Sequence, residues 1–192
     1  LSNYLKKNFP RANYFSAYEA SFSGFSAHRE LNKLGIKNIV VNPADIPTTD
    51  KERKQKEDAR DSRKIAEQLA ASKLVAIFVP SIEAEGDRSM LRFRRTLTKE
   101  IARNKNRVKS FLYYHGITIV EQFVDKKYWS KRFTRWLQKL ELPSKSAKIT
   151  LTEIIEVVEF LRKEQYKIFK KIKELSQTKS YKKNTELLIS IP

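Results

Sequence analysis

The sequence predicts an α/β unit followed by an all-α region, and three observations carry that prediction. Over residues 1–80, short apolar or aromatic runs alternate with amphipathic stretches, the pattern of a sheet with parallel neighbours covered by helices. Beyond Pro80 the apolar residues recur at steps of three and four, the period of helices that bury one face. Gly35 and Gly116 each follow a helical stretch, where a left-handed cap is favoured, and Pro10, Pro43 and Pro80 punctuate the elements.

Taken in order, residues 1–8 suit a helix ended by Pro10. Residues 13–20, Asn-Tyr-Phe-Ser-Ala-Tyr-Glu-Ala, are aromatic-rich and suit a strand, with a turn at 21–24. Residues 25–34 suit an amphipathic helix closed by Gly35, and Ile39-Val40-Val41 a short buried strand stopped at Asn42-Pro43. Residues 44–57 carry Pro47, Thr48, Thr49 and then Lys51, Arg53, Lys54 and Lys56, an exposed basic loop. Residues 58–72 suit a helix with Ile65, Ala66 and Leu69 inward, and residues 74–79 a further buried strand closed by Pro80. Residues 81–115 form one long helix by pattern, with Met90, Leu97, Ile101, Val108 and Phe111 on its apolar face. Trp129, Phe133, Trp136 and Leu140 mark one side of a shorter helix. From Leu151 the stripe Leu151, Ile154, Val158, Leu161, Ile168, Ile172, Leu175 has heptad steps, with polar Gln165 at one seam position. That stripe fits a coiled-coil strand or a long helical hairpin. Residues 176–184 read as a polar linker.

Charge narrows the partners. The 192 residues hold 40 Lys and Arg against 22 Asp and Glu, a formal charge of +18. Such an excess favours a polyanion, nucleic acid first and an acidic membrane surface second. No apolar run approaches the roughly 20 residues that cross a bilayer. There is no cysteine, which excludes disulfides and Cys-ligated zinc. His28 and His115 are far apart and make no metal motif. The chain starts without methionine and closes on Ile191-Pro192 directly after Leu187-Leu188-Ile189, so it reads as a fragment.

Against the basic background two aspartates stand together. Asp58 and Asp61 are three residues apart at the start of a helix, on one face with Cβ atoms roughly 5–6 Å apart. Helix capping explains the pair taken alone. Glu19 closes the first strand, at the carboxyl edge where open α/β sheets place ligands; taken alone it is a solvated strand end. Together the three carboxylates suit a hard divalent ion such as magnesium. Two such ions roughly 4 Å apart polarise the attacking and leaving oxygens of a phosphodiester. The second feature is the long helix. From Arg88 to Lys109 it carries Arg88, Arg92, Arg94, Arg95, Lys99, Arg103, Lys105, Arg107 and Lys109 against the single acid Glu100. A solvated face mixes signs, so this one reads as a phosphate-contact surface, with Arg92, Arg95, Arg103 and Arg107 as contacts and Lys54 and Lys56 joining from the loop. Tyr113 and Tyr114 can stack on bases, but packing is the simpler role for each.

In this order the chain resembles the transposases of the insertion sequence 110 family, the DEDD transposases. The resemblance rests on Tyr18-Glu19-Ala20, Gly24-Phe25, Leu31, Gly35-Ile36, Val40-Val41-Asn42-Pro43, Ile46-Pro47, Lys56-Glu57-Asp58-Ala59-Arg60-Asp61, Phe78-Val79-Pro80, Arg103-Asn104, Arg107, Ser110-Phe111-Leu112 and His115-Gly116. It implies an RNase H-like, RuvC-like fold over residues 1–115 with its first strand missing, a helical coiled-coil region over 116–180, and a linker over 181–192 into a C-terminal transposase domain. It implies a recombinase directed by a structured guide RNA that pairs with donor and target DNA, using magnesium, or manganese in its place. Glu19, Asp58 and Asp61 match the last three of the family's four acids; the first acid and the family's serine have no match. Glu57, Ala59 and Ser62 depart from the family's threonine, arginine and alanine. The expected partners are DNA, guide RNA and further copies paired through the heptads as a dimer or tetramer, with no membrane. The expected setting is the prokaryotic cytoplasm, at the nucleoid. With an acid absent, the chain is expected to be catalytically dead by itself. The rival readings are a four-way-junction nuclease that needs no RNA and a non-enzymatic basic RNA-binding protein.

Overall fold

A computed structural model describes residues 2–46, 58–124 and 129–191, and the side chains of these except at 58, 59 and 124. Two compact units divide at residue 81.

In the first unit, α1 (Ser2–Asn8) leads to β1 (Tyr14–Glu19), and the Tyr14 hydroxyl donates to the Phe9 carbonyl at 2.7 Å, tying the connection to the strand. β1 pairs in parallel with β2 (Ile36–Val41), in register from Tyr14↔Ile36 to Glu19↔Val41. A parallel pair needs a crossover, and α2 (Ser26–Lys33) supplies it. Gly24 and Gly35 turn the chain at either end of α2 with φ of 63° and 80°. β2 buries Ile36, Asn38, Val40 and Val41. The buried polar residue among them is fully partnered. Asn38 Nδ2 donates to Ser16 Oγ across the sheet at 2.8 Å, which leaves Asn38 Oδ1 to accept from His28 Nδ1 at 2.8 Å. Asn32 closes the network, its Oδ1 accepting from the Asn38 backbone N–H at 3.2 Å. His28 is therefore a packing histidine that pins α2 to the sheet. Asn38→Ala leaves the half-buried His28 without its acceptor and is expected to cost about 1 kcal/mol, read as a lower urea midpoint with an unchanged slope.

A short 3₁₀ turn (Pro43–Asp45) follows β2, and α3 (Asp58–Ala70) returns over β1. α3 stops two residues earlier than the sequence pattern suggests, at a left-handed Ser72 with φ of 55°. Ala66 remains exposed, so Ile65 and Leu69 carry the inward face. The expected buried strand over 74–79 is corrected. It pairs only through an antiparallel bridge of Ala76 with Val41, and Ile77 N–H donates to the Val40 carbonyl at 2.8 Å. Val75 and Phe78 are 71% and 78% exposed. An apolar run reads as a buried strand only if both its faces are covered, and here the outer face has no cover among the described residues.

The second unit is helical: α4 (Ile82–Tyr114), α5 (Glu121–Val124), α6 (Lys131–Lys139), α7 (Lys145–Ser176) and α8 (Lys182–Ile189). α4 and α7 run antiparallel. Tyr181, just beyond α7, donates its hydroxyl to Asp87 Oδ2 at 2.8 Å; Gln165 Nε2 donates to Thr98 Oγ1 at 2.7 Å; and Val108 and Leu112 share a core with Leu151, Ile155 and Val158. The heptad stripe thus packs on α4 within one chain, the hairpin alternative. Leu112 and Ile155 take central places in the core, while Phe111 and Ile154 pack half-buried at its edge. Leu161, Ile168, Ile172 and Leu175 are only half-buried, so the seam is tightest at the turn end of the hairpin. There α6 caps the core with Phe133 and Leu137, and Phe133 packs against Phe123, Trp129 and Trp136 at 5.2–5.6 Å between ring centroids. Trp129 precedes α6 rather than lying in it, because Ser130 caps the helix by accepting from the Phe133 N–H at 3.2 Å. Ser144 caps α7 in the same way through the Ala147 N–H. The supposed linker over 176–184 is partly helical, since α8 begins at Lys182. The packing divides at residue 81 because α4 finds its apolar partner in α7; the domain limits at 115 and 180 follow the family resemblance.

Candidate active-site cleft and basic helix

β1 and α3 enclose a cleft of about 530 Å³ lined by Tyr18, Glu19, Asp61, Ser62, Ile65 and Leu69, with Phe15 at its rim. Glu19 reaches it from the carboxyl end of β1, held there because the Ala20 N–H donates to the Val41 carbonyl at 2.8 Å and extends the pairing past the strand end. Asp61 reaches it from the first turn of α3, and both carboxylates are half-buried. Residues 42 positions apart in sequence thus share one cleft. The backbone places Asp58 one helical turn before Asp61; its side chain lies outside the described residues. Among the described residues no group of three or more His, Cys, Asp and Glu side chains is placed to hold a metal ion. Ser62 and Tyr18 line the cleft without having been singled out by sequence; their neighbours Asp61 and Glu19 were the available signal. Lys54 and Lys56 lie outside the described residues.

A larger cavity, about 650 Å³, lies in the helical unit between α4 and the aromatic cluster. Among the described residues its walls are largely apolar, including Leu112, Ile117, Phe123, Trp129 and Phe133.

On α4 the basic residues separate by role. Arg94 lies over the Phe169 ring and Lys105 over the Trp129 ring, each 5.7 Å from the centroid, so these two serve the hairpin. Arg92, Arg95, Lys99 and Arg103 stand exposed on the side opposite Leu97, Ile101 and Val108. Arg103 Nη1 donates to Glu100 Oε1 at 2.9 Å, and Arg107 Nη1 to Asn104 Oδ1 at 2.9 Å. Asn104 is buried in the seam and fixes Arg107 at the flank of the ridge. Of the expected phosphate contacts, Arg92, Arg95 and Arg103 therefore share one exposed line, with Arg107 beside it. Lys99 belongs to the same line by its seven-residue step from Arg92.

Lys105 has a lowered pKa: burial is the largest cause, followed by repulsion from Arg162 and Lys109. The folded state then holds that proton less tightly than the unfolded chain. Stability rises with pH between the lowered value and the ordinary lysine value of 10.5. Lys105→Met is expected to flatten this rise, so its melting temperature gains most over the parent near neutral pH and the gain shrinks as pH approaches 10.5. A gain that grows with pH contradicts the assignment.

Three comparisons bear on this arrangement. The family model for DEDD transposases of insertion sequence 110, described as a transposase, matches residues 18–115. The inferred transposase y4qE of Sinorhizobium fredii is 32% identical over 144 residues, covering 75% of this chain and 36% of that protein. The transposase for insertion sequence element IS1533 of Leptospira borgpetersenii is 27% identical over 172 residues, covering 89% of this chain and 49% of that protein. The chain spans between about a third and a half of the length of these relatives. No solved structure matches.

Proposed function

The chain belongs to the insertion sequence 110 family of DEDD transposases, and from that premise we propose that the intact protein excises and inserts DNA by magnesium-assisted strand cleavage directed by a structured guide RNA. The observation that carries the reading is that Glu19, at the carboxyl end of β1, and Asp61, in the first turn of α3, line one cleft. That is where an RNase H-like nuclease gathers its acids. The donor set fits the ion: carboxylate oxygens from few residues are what magnesium takes, the rest of its shell being water and substrate phosphate. Glu19, Asp58 and Asp61 would hold it, with manganese able to replace it. When bound, magnesium supplies charge stabilisation at the phosphodiester. The protein groups orient the strand around it. Ile65 and Leu69 make the apolar floor of the cleft. Arg92, Arg95, Arg103 and Arg107, with Lys54 and Lys56, neutralise phosphates of the DNA or guide RNA. Copies of the chain pair through helical surfaces outside the seam. The exposed Ile149 and Phe160 of α7 lie on the side away from α4 and suit that contact.

The test is strand cleavage and joining by the intact protein on donor and target duplexes, with and without guide RNA. The expected result is product only with magnesium or manganese and with a guide matching both duplexes. Equal cleavage of four-way DNA with no RNA present would favour the junction nuclease. Unchanged activity in a strong chelator would end the metal assignment.

A further inference from the structure

Tyr113 and Tyr114 are 89% and 83% exposed at the end of α4. Neither ring is buried in the core of this unit, and Tyr113 also lines the apolar cavity beside the aromatic cluster. Neither hydroxyl has a hydrogen-bond partner among the described residues. Tyrosine carries a large apolar ring, and two adjacent exposed rings are an unusual cost on a surface with no task. Their position is informative. Arg92, Lys99, Asn106 and Tyr113 follow one another at seven-residue steps, and so do Arg107 and Tyr114. Seven-residue steps drift only about 20° around a helix, so the tyrosines continue the lines that begin with cations. Along this side of α4, Arg92, Arg95, Lys99 and Arg103 come every three or four residues, or about 4.5–6 Å along the axis. Glu100, the single acid from residue 88 to 114, sits beside the line and is engaged by Arg103. The helix then stops at Gly116, with φ of 67°, so the rings stand at a terminus rather than mid-surface. His115 makes a T-shaped contact with the Tyr114 ring at 5.2 Å between centroids and itself rests on Phe111 at 4.4 Å, which steadies the ring.

We propose that this side of α4 is a track for unpaired nucleic acid: phosphates lie along Arg92, Arg95, Lys99 and Arg103, and bases that have left a duplex stack on Tyr113 and Tyr114. A duplex offers phosphates to the cations, but its bases are already stacked on one another. Exposed ring faces add binding only for a strand with free bases. The inference deepens the proposed function by naming the form of nucleic acid that this helix takes, and it rests on that reading for its biological setting only. Its chemistry is testable without cleavage.

The experiment measures binding of the 192-residue chain to fluorescent oligouridylate, to the matching oligodeoxythymidylate, each about 16 nucleotides long, and to a blunt DNA duplex. Tyr113→Leu and Tyr114→Leu are each expected to weaken single-strand binding about 5- to 150-fold and to leave duplex binding unchanged. Tyr113→Trp restores it. The combined change of Arg92, Arg95 and Lys99 to Gln weakens all three probes and lowers the single-strand salt slope by about 2. Both rings are exposed, so the fold does not depend on them, and helical circular dichroism of each variant checks this. Oligouridylate bound more tightly than its deoxy counterpart identifies RNA as the ligand; equal affinity identifies either strand. Single-strand affinity unaffected by the leucine variants, or an equal loss on the duplex, overturns the proposal. So does tyrosine-dependent binding to anionic lipid vesicles with no such dependence on oligonucleotides. If the tyrosines matter for binding while no metal-dependent cleavage is ever found, the track stands and the nuclease reading falls. If cleavage requires Asp61 but the tyrosines are silent, the reverse holds.

Discussion

In the intact protein, Asp61→Asn is expected to abolish metal-dependent strand cleavage while leaving the fold and DNA affinity nearly unchanged. The substitution keeps shape and size in a half-buried position at the start of α3, but it removes the charge that a hard cation requires. Losing several kcal/mol of charge stabilisation at a phosphodiester corresponds to roughly 10³-fold in rate. Glu19→Gln should match it, because both groups reach the same cleft. Groups acting through one ion are strongly non-additive, so the double variant should be scarcely worse than either single one. Raising the magnesium concentration should restore part of the activity if affinity is what was lost. Cleavage at the parental rate by both single variants would remove the cleft from the mechanism.

The second large effect concerns the helical hairpin. Leu151 is 1% exposed in the core formed by α4, α6 and α7. Leu151→Ala removes three carbons and leaves a space the neighbours only partly fill, at an expected cost of about 2–5 kcal/mol. That amounts to a fall in melting temperature of about 4–20 °C. Ile149→Ala, two residues earlier and on the exposed side, should change stability by about 0.5 kcal/mol or less. Because the heptad stripe packs on α4 of the same chain, the loss caused by Leu151→Ala should be the same at low and at high protein concentration. A Leu151→Ala loss that changes with concentration would show that the seam is completed by a second copy.

Much of this was legible without coordinates, for reasons that differ by element. β1, α2 and β2 were readable because each carries a local signal: aromatic density, a glycine that alone tolerates the turn at Gly35, and a β-branched run. The long helices were readable from period alone. The segment 74–79 was misread because an apolar run says only that the chain would gain by burial, not that a partner exists to bury it. Phe111, two seven-residue steps from Leu97, drifts to the edge of the buried face, and Leu112 takes the central place. The Asn38–His28–Ser16 network and the lowered pKa of Lys105 had no sequence signal. Each depends on groups brought together from separate elements.

Sequence by itself determined the alternation of strand and helix, the separation of a mixed unit from a helical one, the excess of positive charge on α4, and the candidates Glu19, Asp58 and Asp61. These are properties of short windows, where residue type and period act over a few bonds. Tertiary structure alone decided that Glu19 and Asp61 open on one cleft, that the heptads fold back on α4, and that Tyr113 and Tyr114 face solvent. Each of those is a choice of partner across many residues of chain. It is made by which apolar faces can close on each other, a comparison that no local pattern encodes.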